Sequence, residues 1–233
     1  MKRENNRNKR GARKALVLTA MMMGCLGIMG ISAYFTAADT ATNTFTIGNI
    51  SLELQEPGWD ASNAENILPG QDIHKDPQIV NDGVNDEFVF LEVVIPYATL
   101  QTANGDGTWN AAADVELFSY DVNTTDWVQV GNAVKDEDAG TVTYVYGYAK
   151  NDAMTVLEKE DTTPALFEYV RFANVADASD LDASSLAMEI NAYGIQTTNL
   201  NDGDTTIDGV NDDGKTAPAD VWAVINAERP ELQ

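Results

Sequence analysis

The chain has 233 residues, with 37 acidic and 14 basic side chains, one histidine and one cysteine. A formal charge of −23 excludes nucleic-acid binding through phosphate neutralisation, because chain and polyanion repel. One histidine cannot supply the two imidazoles, one helical turn apart, that an H-E-x-x-H zinc peptidase needs.

The charge is unevenly placed. Residues 1–14 hold Lys2, Arg3, Arg7, Lys9, Arg10, Arg13 and Lys14 against Glu4 alone. The uncharged run ALVLTAMMMGCLGIMGI follows, then the small residues Ser32 and Ala33. A basic stretch, an apolar stretch and a small-residue end form the pattern of a secretory signal peptide. Residues 1–33 are therefore read as an N-terminal signal helix, cleaved between Ala33 and Tyr34. The apolar run is also at the short limit of a membrane span, so a retained anchor is the alternative, and MMGC ending at Cys25 is a loose lipobox. Cleavage at Ala33 removes Cys25, which leaves the exported part without disulfides, thiolate metal sites or a cysteine nucleophile.

From Tyr34 onward seven basic residues face 36 acidic ones. This part, 34–233, reads as one domain. Its first segment, YFTAADTATNTFTIGNISLEL, is rich in threonine and alternates, with Phe45 and Ile47 on one face, so a β-prone strand stands at the new N-terminus. Pro69-Gly70 is a turn signal ahead of DIHKDPQIVNDG (72–83). DEFVFLEVVIP (86–96) is apolar on both faces and predicts a central, buried strand. VELFSYDVNTTDWVQV (115–130) predicts two strands around a polar turn. GTVTYVYGYA (140–149), PALFEYVRFANV and SLAMEINAYGIQT complete the strands. In APADVWAVINAE, Val221, Trp222, Val224 and Ile225 fall at helical spacing behind Pro218 and predict one short helix. Six to nine strands with a late helix and no βαβ rhythm predict a mainly β fold, an antiparallel jelly roll or β-sandwich with one or a few short helices.

Candidate chemistry is sparse. His74 sits in a strand-like stretch, no G-x-S-x-G elbow accompanies it, and no catalytic residue is assigned. Asp202, Asp204, Asp208, Asp212 and Asp213 share a Gly-containing loop. Their oxygens suit calcium, but the EF-hand spacing fails, so no cofactor is expected apart from a weak surface calcium. Val142, Tyr144, Tyr146 and Tyr148 share one strand face, which suits either an exposed stacking ladder for a surface-binding module or an ordinary sandwich face. The N-terminal strand has two fates. It can pair within its own sheet, or it can leave and complete the sheet of a neighbour by strand addition.

Several of these motifs together resemble the TasA/camelysin family, whose members carry a signal peptide removed by the SipW-type signal peptidase. AYFTAADTATNTFTIGNISLEL is similar to that family's mature start. LPGQDIHKDPQIVNDGVNDEFVFLEV is similar to its next block, through Pro69, Gly70, Lys75, Asp76, Pro77, Asn81 and Gly83. AYGIQTTNL and VWAVI are similar to its closing strand and helix. The resemblance implies a secreted jelly-roll protein that assembles into fibres of the biofilm matrix, and the chain is accordingly read as a non-enzymatic structural protein polymerising on or near a Gram-positive cell surface. Its implied partners are the signal peptidase, further copies of itself in a head-to-tail homopolymer, and an accessory matrix protein; the membrane would be met only through the uncleaved signal. The donor strand would be 34–47, with Tyr34, Phe35, Phe45 and Ile47 its anchoring side chains. The family also carries a metallopeptidase label, which the paired-histidine argument leaves without support in this sequence.

Overall fold

EFVFLEVVIPYATL, the most apolar stretch after the N-terminal run, organises the fold around itself. In the computed structural model it forms a fourteen-residue strand, Glu87–Leu100, paired on both sides. The structure describes residues 36–40 (backbone only), 50–176, 181, 186–197, 200 and 216–227, all within one compact unit, Tyr34–Gln233.

In chain order the strands are β1 (Thr36–Thr40), β2 (Leu52–Gln55), β3 (Asp72–His74), β4 (Gln78–Asn81), β5 (Glu87–Leu100), β6 (Ala113–Glu116), β7 (Phe118–Tyr120), β8 (Trp127–Gln129), β9 (Val134–Asp136), β10 (Thr141–Lys150), β11 (Ala153–Met154), β12 (Tyr169–Phe172) and β13 (Glu189–Gln196). A helix, α1 (Pro218–Ala227), follows. The large sheet runs β1-β13-β5-β10-β11, with β6 added to β5 and β8 and β9 added to β10. Two small sheets, β3-β12-β7 and β2-β4, complete the fold. Every strand pair is antiparallel, as the sequence predicts for a sandwich.

The central strand feeds two cores because successive side chains point to opposite faces. Val89, Leu91, Val93 and Ile95 face one core with Ile190 and Ala192 of β13, and the small sheets close it with Leu52, Ile73, Ile79, Val170 and Phe172. Phe88 and Phe90 face the other with Tyr193 and Ile195, closed by Val221, Trp222, Val224 and Ile225 of α1. The predicted helix is present with Pro218 at its first position, where the missing N–H removes no hydrogen bond.

Two expectations differ from the structure. The 115–130 stretch contributes to three strands, because the chain changes sheets at Leu117. Its N–H donates to Pro96 O at the large sheet (2.8 Å), and its carbonyl accepts from Ala173 N at the small one (2.9 Å). A fully buried leucine at a sandwich corner has no signature distinct from a leucine inside one strand. The strand total also exceeds nine, since β3, β7, β8 and β9 have three residues each and β11 has two, too short to give a periodic signal.

Candidate functional site

Three places carry the residues singled out by the sequence: the edge where β1 lies, the loop around His74, and the tyrosine face of β10.

β1 is the outer strand of the large sheet. It pairs with β13 from Thr36↔Ile195 to Thr40↔Asn191, and the opposite side of β13 is taken by β5. The middle of the predicted N-terminal strand thus pairs within its own sheet. Backbone pairing supplies its hold, and such an edge accepts any strand of matching pattern. Ala33, Tyr34, Phe35, Phe45 and Ile47 lie outside the described residues, as do Asp202, Asp204, Asp208, Asp212 and Asp213.

The family block 69–83 builds a structural clamp. Gly70 takes φ +76° in a turn where Gln71 N donates to Leu68 O (3.0 Å), a conformation that favours glycine. Lys75-Asp76-Pro77 separates β3 from β4 and faces the loop after β2. Both carboxylate oxygens of Asp76 accept from Gly58 N, at 2.8 and 3.1 Å. Lys75 Nζ lies 2.6 Å from Glu56 Oε1 and 4.6 Å from the centre of the Trp59 ring. Asn81 is fully buried; its Nδ2 donates to Asn85 O and Leu157 O, and its Oδ1 accepts from Gly83 N. Asp76 and Asn81 hold turns closed by pairing main-chain groups, and Lys75 ties the block to the loop after β2 through side chains.

His74 lies under that clamp. A Cβ on Gly58 would stand 1.9 Å from its ring, so the loop closes over the imidazole only because residue 58 has none. Its Nδ1 faces Asp76 Oδ1 at 3.8 Å, its Nε2 faces Glu168 Oε2 at 3.9 Å, and Tyr169 meets the ring edge-on at 4.8 Å.

The tyrosine face turns inward. Tyr146 is buried with its hydroxyl 3.1 Å from that of Tyr120, Tyr144 donates to Glu116 Oε1 at 2.7 Å, and Tyr148 packs on Trp127. Burial pushes the Tyr120, Tyr144 and Tyr146 phenols above their ordinary range, so they stay neutral hydroxyls. Of the two readings of this face the ordinary sandwich face is the one present: these rings fill the space between the large sheet and the β7–β12 side, as aromatics on a half-buried strand do.

A family model described as camelysin metallo-endopeptidase matches residues 11–139, which spans the clamp block and stops before β10. The chain belongs to the camelysin family. No curated protein and no solved structure matches it. The camelysin description implies a peptidase metal, and the described residues do not fit one. The sole imidazole sends its two nitrogens toward carboxylates on different sides of the ring, so His74, Asp76 and Glu168 cannot converge on one ion. Among the described residues no three His, Cys, Asp or Glu side chains are grouped for a metal.

Glu87 is a buried acid that the sequence pattern does not single out. It opens β5 fully buried, with Oε2 lacking any hydrogen-bond partner. The available signal was an acid directly ahead of FVFLEVVIP, a run otherwise buried on both faces.

Proposed function

We propose that this camelysin-family chain is an exported structural protein that polymerises by handing its N-terminal strand to a neighbour. The observation that carries the reading is the position of β1. It is a five-residue edge strand near the start of the compact unit, held on β13 through main-chain pairing. If β1 leaves, β13 offers the same edge to the β1 of another copy. Exchange of one element between identical chains keeps every contact chemically the same, and a head-to-tail exchange that does not close on itself produces a filament. The signal segment would hold this strand at the membrane until cleavage near Ala33, and the fibre would form outside the cell. Deleting Tyr34–Thr42 leaves β13 without its partner strand. The expected result is a folded domain that forms no fibres in electron micrographs; normal fibres from that deletion would remove the reading.

The family description favours a second reading, a surface metallo-endopeptidase. It predicts casein cleavage by the purified chain that chelators abolish. No cleavage at high concentration with zinc added would end it.

A further inference from the structure

Glu87 is a carboxylic acid placed against the start of β2. Its side chain is completely buried. Oε1 accepts from Ser51 N at 3.3 Å, just ahead of β2. Oε2 has no partner, and it occupies space that residue 194 leaves open: a Cβ on Gly194 would lie 2.5 Å from Oε2 and 2.7 Å from Leu52 Cδ2. Gly194 in turn pairs with Val89 of β5 on one side and Ala37 of β1 on the other. One carboxyl therefore touches the root of β2 and lies beneath the strand that carries β1.

We propose that Glu87 is a proton-operated anchor: protonated, it stays buried without charge against β2 and lets β2 close over β13, and deprotonated, it loosens that corner, because the cost of a buried charge outweighs the stronger bond a carboxylate accepts from Ser51 N.

The surroundings favour the neutral form. β2 brings Ser51 and Leu52, β13 brings Gly194 and, in register, Gln196, and the bridge partner Leu157 exchanges two main-chain hydrogen bonds with Glu87. The charged group that acts on it is Asp82 of the β4–β5 turn, and its sign is the same. Burial pushes the acid up to about 8, the Ser51 hydrogen bond opposes this, and Asp82 adds to it. An acid whose folded value lies above its unfolded value of 4.5 keeps its proton only in the folded chain through the window between them. Its contribution is therefore complete below about pH 4.5 and is lost as pH rises toward 8, by up to about tenfold in the folding equilibrium per pH unit. This device stands whether or not the chain polymerises.

The test compares the full chain in mild detergent with Glu87→Gln, which keeps the shape and removes the titration. Urea unfolding is followed from pH 5 to 9, together with amide exchange at Leu52–Gln55 corrected for intrinsic rate. Wild type should lose stability relative to Glu87→Gln progressively up to about pH 8, by more than a hundredfold in the folding constant, and lose protection at β2 over the same window. Parallel curves for the two proteins would overturn the proposal. Should Glu87→Gln not fold, a carbon-13 titration of the Glu87 carboxyl in wild type decides. A midpoint near 8 supports the anchor, and a midpoint in the ordinary carboxylate range overturns it.

Discussion

At the residue scale, the clamp around Gly58 explains why a lysine, an aspartate and a proline stand together after β3. Asp76 is 7 % exposed and spends both oxygens on one backbone N–H, so Asp76→Ala leaves the half-buried Gly58 N without its acceptor. The expected loss is about 1–3 kcal/mol, measured by urea unfolding. Gly58 is testable in a cycle. Gly58→Ala drives a methyl into the His74 ring and should cost about 1–3 kcal/mol as overpacking. In a His74→Ala background most of that cost should vanish, because the obstructing ring is gone. An equal cost in both backgrounds would mean that the loop closes for another reason. The sequence displays the block's residues but not their roles: Lys75 and Asp76 are legible as a motif, whereas their partners Glu56, Gly58 and Trp59 lie some 15–20 positions earlier and are joined to them only by folding.

At the element scale, the parts with a strong period were legible. β5, β10, β13 and α1 each bury a face, or both, that alternation or helical spacing had marked. What the sequence hid were the places where the chain serves two sheets at once, such as Leu117, and the main-chain covering of sheet edges. The exposed edge of β4 is capped in this second way: Thr163 N donates to Ile79 O, Leu166 N to Pro77 O, and Ile79 N to the Thr163 hydroxyl. Such pairing guards an edge that would otherwise invite another chain, and with two of its three hydrogen bonds running main chain to main chain it leaves little side-chain pattern to read. Trp127 of β8 pins that covering segment from the large sheet, with Nε1 donating to Pro164 O at 3.0 Å and the ring 1 % exposed. Trp127→Ala should cost about 3–5 kcal/mol in chemical unfolding. A loss below 1 kcal/mol would show that the segment is held without it.

At the scale of the whole molecule, β1 is an edge strand of the large sheet that, among the described strands, is hydrogen-bonded to β13 alone. Sequence pattern predicted a β-prone N-terminal segment but not its neighbour, because a strand's partner is fixed by the assembled sheet. The account's central claim is that β13 accepts β1 from within the chain before assembly and from another copy within the fibre. Disulfide trapping tests it most directly. In a chain starting at Tyr34, which lacks Cys25, Thr40→Cys and Asn191→Cys place two thiols at directly opposed positions of β1 and β13, within the span of a disulfide. The account predicts that oxidised fibres dissolve in detergent as a ladder of covalent multimers, collapsed to one band by reductant, while the unassembled chain closes only on itself. Fibres that yield only the internally closed monomer would contradict strand exchange.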